Sequence, residues 1–405
     1  MSGAYVTSVK PGGFMGHGLV IGDLRVQQVD GRRGRSFTIV WPEGRVHEQA
    51  DRFLRTHDGS GTQRTYAYLL VDHLRWLERE CLPPESVTLR DLQRYMGIVG
   101  AKVALPLGEP WRAGKRPYAQ HTLSAAASCL KGFYLHLAAL GINRELGGHL
   151  NRTRLPARAD RDRALLGHLR RELPANPLAP RRARRRHPKM LPDGARDLLG
   201  QAVMTARDRL VVTWLGDVGF RIGELCGLHL ADLHLHENAP CGDCRSPHVH
   251  ICHRDGNANR ARAKTKYPWS LEDGVIRGGL VRRASPAMVH AYFEYMTTEY
   301  PTSAGHGMLL VQLHGPDHGQ PWAAAAARGM LRRAGDRAGL GGVRPHAFRH
   351  SFASAVLDAS GGNLLVARDA GGWASVTVVD EVYGHTDVHD PVFDAALRQV
   401  WGEQP

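Results

Sequence analysis

RPHAFRHSFAS (Arg344–Ser354) is the stretch around which the rest of the chain can be organised. It places two arginines, two histidines and a proline within seven residues, immediately before an apolar helical pattern. A core helix has no use for that much charge, and a solvated face seldom mixes His, Arg, Phe and Pro so closely. We therefore interpret the stretch as part of a functional site.

The bulk properties predict a globular protein with a polyanionic partner. At 405 residues, the chain exceeds the roughly 250–300 residues at which single cores stop growing, so we expect two domains. Its net charge of +14 and pI near 9.8 come mainly from arginine, whose planar fork suits phosphate oxygens. The alternative is a basic protein from an arginine-rich proteome.

The N-terminus has no signal-peptide pattern, and no run approaches the ~20 apolar residues of a membrane span. We therefore expect a cytoplasmic protein, associated with the nucleoid and not with a membrane. Six cysteines in a chain of this length do not make a disulfide scaffold, so we expect free thiols.

Patterning predicts a mainly α protein with a small antiparallel β-hairpin, in which a helical N-terminal bundle precedes an α+β domain. Apolar residues recur at helical spacing from about His47 to Leu150. In the later domain, HVHICHR alternates with period two and predicts a strand, followed by a polar turn and a second strand, YPWSL. The predicted boundaries are 1–46 (extension of unknown role), 47–150 (helical bundle), 151–189 (basic linker), 190–390 (α+β domain) and 391–405 (helical tail).

The linker is rich in proline and ends in the basic run RRARRRHPK. Proline interrupts helices and like charges repel, so this segment is either a strap along a nucleic-acid backbone or a solvated hinge. Given the net charge we favour the strap, because neutralising phosphates releases counterions. The predicted phosphate contacts are Arg181, Arg182, Arg184, Arg185 and Arg186.

Three separated segments together supply one plausible set of reactive groups. GFRIGELCGLHLADL contributes Arg221, RPHAFRHSFAS contributes His346 and Arg349, and GGWASVTVVDEVYGH contributes Trp373 and Tyr383. A phosphodiester attacked by a phenol develops negative charge on its non-bridging oxygens, which fixed arginines oppose. The tyrosine becomes a covalent phosphoester, so neither ATP nor a catalytic metal is required. The chain also lacks a G-x-x-x-x-G-K-[ST] nucleotide loop.

These motifs resemble the tyrosine recombinase, or phage integrase, family, including recombinases of mobile elements. The matching residues are G-x-R-x-x-E-L (Gly219–Leu225), H-x-x-R-H (His346–His350) and a G-[HW] pair followed by a tyrosine, in the family's order. The resemblance implies that Tyr383 is the nucleophile and that Arg221 and Arg349 bind the scissile phosphate. It further implies that His346 and Trp373 hydrogen-bond that phosphate or assist proton transfer.

The family's remaining catalytic residue is a lysine in the turn of a β-hairpin, which protonates the leaving 5′ hydroxyl. RDGNANRARAKTKYPWSL offers Lys264, which we prefer because it lies on the turn side, and Lys266. Glu224 is expected to orient Arg221. His350 is interpreted as a structural histidine of its helix, next to the site, more than as an essential catalyst. The chain departs from the commoner pattern by having Trp in place of His at 373, which donates but cannot accept a proton. It also has ten residues from Trp373 to Tyr383, where many members have nine.

CGDCRSPHVHICH (Cys241–His253) has the residue types of a tetrahedral zinc site. Strand alternation, however, puts His248, His250 and Cys252 on one face and His253 on the other, so the set need not converge. We expect no catalytic metal. A structural zinc at Cys241 and Cys244 and a polar loop without metal remain the two alternatives.

We interpret the protein as a site-specific DNA recombinase that forms a 3′-phosphotyrosyl DNA intermediate during integration, excision or transposition of a mobile element. By the resemblance, its partner is double-stranded DNA bound by a homotetramer, with or without accessory recombination proteins. The alternatives are a topoisomerase-like nicking and resealing enzyme, a catalytically silent DNA-binding regulator and a metal-dependent nuclease built on the Cys/His stretch. The apolar residues of the tail 391–405 could contact a neighbouring subunit or pack on their own domain.

Overall fold

The chain divides into two compact units, Met1–Arg184 and Arg185–Pro405, and the division falls within the predicted linker. Helices dominate both units and the sheets are small and antiparallel, which confirms the predicted fold class. The computed structural model describes residues 24–31, 34–58, 60–101, 116–154, 173–180, 189–265 and 267–383.

The first unit is a helical bundle that begins with a β-hairpin. Its elements are β1 (Arg25–Gly31), β2 (Gly34–Val40), α1 (Glu48–Arg55), α2 (Gly61–Arg79), α3 (Leu89–Gly100), α4 (Gln120–Ala139), α5 (Arg144–Leu150), β3 (Thr153–Arg154) and β4 (Leu173–Pro174). α2 begins where the Ser60 hydroxyl accepts a hydrogen bond from the Gln63 amide at 3.3 Å. The apolar stripes of α2 and α4 bury Leu70, Leu74 and Leu137 in one shared core, as their helical spacing predicts.

Two predicted boundaries of this unit need correction. Residues from 24 onward do not stand apart as an extension, because Leu24 and Ile39 of the hairpin are buried in the core of the bundle. Residues 173–180 do not form free linker, because β4 pairs with β3 and Leu178 enters the same core. Residues 1–23 and the arginines Arg181, Arg182, Arg184, Arg185 and Arg186 lie outside the described residues.

The second unit packs its helices around α7 and holds two small sheets at one side. Its elements are α6 (Ala195–Ala202), α7 (Ala206–Val218), α8 (Ile222–Leu225), β5 (Leu233–His234), β6 (His248–Ile251), β7 (Trp269–Glu272), β8 (Val275–Gly278), β9 (Leu280–Arg283), α9 (Pro286–Thr298), α10 (Ala324–Arg337), α11 (Pro345–Ala359), α12 (Leu364–Gly371) and α13 (Val376–Tyr383). α7 packs on both α9 and α11. Its Trp214 is fully buried and donates a hydrogen bond to the Met288 carbonyl at 3.0 Å. This core fixes the end of α7 relative to the start of α11.

The strand at residues 248–251 is confirmed, but its predicted pairing is wrong. β6 lies between β5 and β9, and β7 instead turns back on β8. The turn between β7 and β8 consists of Asp273 and Gly274, which both have positive φ. That conformation is the two-residue hairpin turn that an Asp-Gly pair favours, so β7 closes on its sequence neighbour and leaves β6 for β9.

No helix in the part of the chain that the structure describes combines the length and the apolar character needed to cross a membrane.

Candidate active site

Arg221 lies at a sharp corner between two helices. α7 ends at Gly219, whose φ of 63° is left-handed, and Arg221 caps the short α8 that follows. A side chain at Gly219 would also come within 2.7 Å of the Phe352 ring. The buried Glu224 carboxylate accepts hydrogen bonds from the Arg221 amide at 2.9 Å and from its guanidinium Nη1 at 2.5 Å. Glu224 thus orients Arg221, as predicted, and leaves the other guanidinium hydrogens free to bind an anion.

Arg349 is buried and held by two backbone carbonyls. Its Nη1 donates to the Gly219 carbonyl at 2.8 Å and its Nη2 donates to the Gly371 carbonyl at 2.7 Å. Burial, and then the positive charge of Arg221, lower the pKa of Arg349 to about 10, so it stays charged at neutral pH. Each Nη carries a second hydrogen, so the guanidinium can also donate to a phosphate. Its two carbonyl bonds link the segment that contains Arg221 to the segment that contains Trp373.

Trp373 forms a wall of the site beside Arg349. The Arg349 Cζ atom lies 4.1 Å from the centroid of the Trp373 ring, a distance typical of a cation–π contact. The preceding Gly371 has no room for a side chain, because an added Cβ would overlap the indole ring. Gly372 has a φ of 60° and ends α12 in the left-handed conformation. The glycine pair is therefore what allows Trp373 to turn back over the arginine.

The hydroxyl of Tyr383, the candidate nucleophile, lies against the imidazole of His350. The Tyr383 Oη lies 2.6 Å from His350 Nδ1, and the Tyr383 ring meets the Trp373 ring edge to face at 5.8 Å. Burial raises the pKa of Tyr383 to about 12, so the phenol is protonated at neutral pH. Burial, and then the positive charges nearby, lower the pKa of His350. Its imidazole is therefore neutral at pH 7 and can accept the phenol proton. His350, interpreted from sequence as structural, lies directly on the predicted nucleophile.

His346 and Lys264 lie on the solvent side of the same arginines. Partial desolvation, followed by the charges of Arg349, Arg221 and Lys264, lowers the pKa of His346, which places these cations within electrostatic range of its ring. Lys264 is exposed and stands between the buried residues Ala263 and Thr265. Lys266 lies outside the described residues, so the choice between the two lysines stays a prediction in favour of Lys264.

The family match covers the C-terminal part of the candidate site. Residues 281–389 match the model of the phage integrase family. This integrase domain includes His346, Arg349, Trp373 and Tyr383, while Arg221 and Lys264 precede it, and it confirms the resemblance seen in the motifs.

Two curated relatives match about half of the chain. Tyrosine recombinase XerD from Mycobacterium tuberculosis is 30% identical over 199 residues, which are 49% of this chain and 52% of XerD. Transposase A from transposon Tn554 of Staphylococcus aureus is 24% identical over 189 residues, 47% of this chain and 46% of the transposase. The chain thus spans about half the length of the curated relatives it matches.

Solved structures share the fold over most of the chain. The integrase of transposon Tn1549, in complex with a circular intermediate DNA, aligns with a TM-score of 0.54 at 15% identity, over 88% of this chain and 98% of that one. The XerH site-specific recombinase, bound to a palindromic difH substrate, aligns with a TM-score of 0.51 at 16% identity, over 84% of this chain and 80% of that one. These similarities show a common integrase-type fold.

Arg282, in the integrase domain, is an arginine that sequence reasoning missed. It is almost fully buried on β9, and its Nη1 donates to the carbonyls of Asp369 (2.8 Å) and Ala370 at the end of α12. Burial lowers its pKa to about 10, and it lies within electrostatic range of Arg221 and Glu224. Arg221, Arg349 and Arg282 together exceed the charge of Glu224, so the site favours an anion. No motif marked Arg282, because its role depends on the distant end of α12.

The structure brings together a Cys/His set that differs from the predicted one. Cys241, His248 and His250 converge, and His234 of β5 joins them. Cys252 does not belong to this set because β6 ends at Ile251, so the predicted alternation stops there. Cys244 also lies outside it, and His253 instead holds the Ala263 carbonyl through its Nδ1 at 2.6 Å.

Proposed function

We propose that this protein is a site-specific DNA recombinase that acts through a covalent 3′-phosphotyrosyl intermediate. The observation that carries the proposal is the 2.6 Å contact between Tyr383 Oη and His350 Nδ1, beside the charged Arg349 and in the same chain. A nucleophile, a neutral proton acceptor and a fixed cation thereby lie at one site, which is the arrangement that nucleophilic attack on a phosphodiester requires.

The proposed reaction conserves charge and bond energy. Tyr383 Oη attacks the phosphorus and gives its proton to neutral His350, while the bond from phosphorus to the 5′ oxygen breaks and Lys264 protonates that oxygen. Arg221 and Arg349 oppose the charge that builds on the non-bridging oxygens, and His346 and Trp373 donate hydrogen bonds to them. Attack by a 5′ hydroxyl from a second strand reverses these steps and joins the new strand.

The proposed substrate is duplex DNA at sites belonging to a mobile element. The net charge of +14 and the solved relatives in complex with DNA support a DNA partner. The names of a transposase and a transposon integrase among the similar proteins support integration, excision or transposition. By the same resemblance we propose four subunits on two DNA sites, with the basic run 181–186 along the phosphates and accessory proteins optional. The tail 391–405 lies outside the described residues.

Covalent trapping tests the proposal. The full-length protein is incubated in EDTA with nicked, labelled duplexes that carry the DNA flanking its gene, and the products are run on a denaturing protein gel. We expect a protein–DNA adduct whose proteolytic fragment carries the modification on Tyr383. A metal-dependent nuclease would release free fragments that EDTA suppresses. Binding without any adduct across the flanking DNA would leave a silent DNA-binding regulator.

A topology assay separates recombination from topoisomerase activity. A recombinase should exchange partners between two copies of the trapped site and leave a plasmid without that site supercoiled. A topoisomerase should relax both plasmids and give no exchanged product.

Lys264→Ala should slow cleavage by about 10²–10⁴-fold, the usual contribution of a general acid. The defect should disappear with a substrate whose bridging 5′ oxygen is replaced by sulfur, because a thiolate leaves without a proton. Single-turnover adduct formation on both substrates measures this rescue, with Lys266→Ala as the matched variant. Rescue of Lys266→Ala in place of Lys264→Ala would transfer the role to Lys266.

His350→Ala should change how cleavage depends on pH. The wild-type rate should be constant above about pH 6.5, because His350 has a lowered pKa and is neutral there. Without this acceptor, the phenol, with a pKa of about 12, must lose its proton to solvent, so the variant's rate should rise about tenfold per pH unit. Single-turnover rates between pH 6 and 9 measure both profiles. A pH-independent rate in His350→Ala would show that His350 only positions the tyrosine.

A further inference from the structure

Four buried side chains of the second unit point their ligand atoms at one centre. His234 of β5, Cys241 of the following loop, and His248 and His250 of β6 are all at most 7% exposed. One ligand atom from each lies within 4.8 Å of all the others. The nitrogens lie 3.1 to 3.3 Å apart, and Cys241 Sγ lies 3.2 Å from His248 Nε2. We propose that this cluster is a structural metal site that binds one zinc ion.

The three nitrogen–nitrogen distances and the distance from Cys241 Sγ to His248 Nε2 fit the edges of a tetrahedron around zinc. Zinc bonds of about 2.0–2.1 Å to nitrogen and about 2.3 Å to sulfur give tetrahedral edges of about 3.3 Å between nitrogens and about 3.6 Å from nitrogen to sulfur. The measured edges of 3.1 to 3.3 Å agree to within a few tenths of an ångström. Four protein ligands complete the shell, and their burial leaves no open position for water, so the site is structural and not catalytic.

Hydrogen bonds on the far side of two rings prepare their nitrogens for a metal. His248 Nδ1 donates to the Ser246 carbonyl and His250 Nδ1 donates to the Gly278 carbonyl, both at 2.7 Å. These bonds fix the tautomer in which each Nε2 carries a lone pair toward the centre. The two lone pairs then face each other at 3.1 Å without a hydrogen between them. A cation at the centre removes this repulsion.

Chain geometry brings the ligands together. His234 pairs directly with His248 across the antiparallel ladder of β5 and β6, so both lie on one face of the sheet, and His250 follows on that face two residues later. The loop from 235 to 247 then folds over this face through the left-handed Asn238 and Gly242 and buries Cys241. This loop is largely polar, so few apolar side chains are available to hold it against the sheet. A bound metal would supply that attachment.

The donor set favours zinc among the common metals. Three imidazoles and one thiolate in a tetrahedron suit zinc, whereas magnesium, calcium and manganese prefer oxygen ligands in octahedral or larger shells. The Cys241 thiol would release its proton when it binds.

The position of the site gives it a role in holding the catalytic segment. β6 leads directly into residues 252–265, which end in Lys264 and Thr265, and β6 also pairs with β9, which carries Arg282. Through the hydrogen bond from His250 to Gly278, the site also anchors the hairpin of β7 and β8. Zinc would therefore connect β5 with β6 and, through His250, with β8, all next to the candidate active site. Loss of the metal should destabilise the second unit before the first unit.

Metal analysis of the full-length protein, purified without a histidine tag, tests the proposal directly. We expect about one zinc per chain after dialysis against metal-free buffer. Replacement by cobalt should give the visible bands of a tetrahedral site together with a near-ultraviolet charge-transfer band from one thiolate. Absence of stoichiometric zinc and of the cobalt spectrum would show that the cluster is a hydrogen-bonded group without metal.

Two cysteine variants identify the thiolate. Cys241→Ser should lose the charge-transfer band and bind zinc more weakly by more than the roughly 10–100-fold that removal of an outer partner costs. Cys244→Ser, three residues away in the same loop, should retain both properties. Loss of the band in Cys244→Ser but not in Cys241→Ser would overturn the assigned ligand set. The wild-type cobalt spectrum decides the case even if Cys241→Ser does not fold.

The metal test is independent of the proposed recombinase activity. Tyr383→Phe should bind zinc as the wild type does, because its hydroxyl contacts His350 and not the Cys/His cluster. A protein that binds zinc but never traps DNA would retain the metal site and reject the recombinase proposal.

Discussion

Tyr383→Phe should abolish covalent capture of DNA while it leaves the fold intact. The substitution removes only the hydroxyl that lies 2.6 Å from His350 Nδ1, and the ring keeps its contact with Trp373. Without that oxygen no phosphoester can form, so the expected loss is complete and exceeds any effect of a group that only assists attack. Denaturing gels with the nicked duplexes, alongside DNA-binding and thermal-unfolding measurements, check the result.

Tyr267→Phe is the matched control for the nucleophile. Tyr267 is 59% exposed and lies within electrostatic range of Arg282, so it is another tyrosine near the site. Its variant should capture DNA as the wild type does. If Tyr383→Phe still captured DNA and Tyr267→Phe did not, the nucleophile would be Tyr267, just before β7, and not Tyr383 of α13.

Arg349→Lys should slow cleavage by about 10²–10³-fold, even though the positive charge is retained. Removal of one preorganised donor to a transition-state anion typically costs this much, and lysine cannot reproduce the planar fork of arginine. The change should also destabilise the protein, because the Gly219 and Gly371 carbonyls each accept a hydrogen bond from one Nη group of Arg349. A buried carbonyl left without a hydrogen-bond donor costs about 1–3 kcal/mol of stability, and a lysine ammonium can bond well to only one of these two carbonyls.

Single-turnover cleavage and urea unfolding separate the two effects of this variant. Arg221→Lys should show a comparable loss of rate with a smaller loss of stability, because Arg221 is more exposed and its partner Glu224 retains the bond from the backbone amide. Arg332→Lys, an exposed position on α10, serves as the control for arginine replacement. Cleavage by Arg349→Lys within threefold of the wild type would contradict a phosphate-binding role.

The candidate nucleophile packs against a small apolar cluster. Leu357, Ala367 and Val379 form this cluster, with Trp373 and Tyr383 packed at its edge, apart from the large core around α7. Fewer buried contacts imply a lower cost for local opening. Within the described residues, Tyr383 is thus held against His350 by a cluster of few buried side chains.

The local geometry around Arg221 and Trp373 could be anticipated from sequence because its signals are local. G-x-R-x-x-E-L contains the left-handed glycine, the arginine and the carboxylate that orients it within seven residues. G-G-W contains the two small residues that allow the indole to turn back over Arg349. The positions of Arg221, Glu224 and Trp373 therefore follow from neighbours in the chain, as does the helical character of α2, α4 and α11.

Other features depended on contacts that no local pattern encodes. Arg282 acts on the carbonyls at the end of α12, and His350 meets Tyr383 only because α13 folds back on α11. The pairing of β6 was mispredicted because alternation identifies a strand without identifying its partner. In each case the decisive neighbour is distant in sequence.

By itself, the sequence predicted the class of fold, the resemblance to the integrase family and the candidate residues of the site, since periodicity, turn-forming glycines and charged motifs act over a few residues. Only the tertiary structure decided that His234 lies opposite His248 and that Cys241 folds over them. The register of a sheet and the path of a loop are set by the packing of whole elements, and a metal site made from three separate segments exists only once that packing is complete.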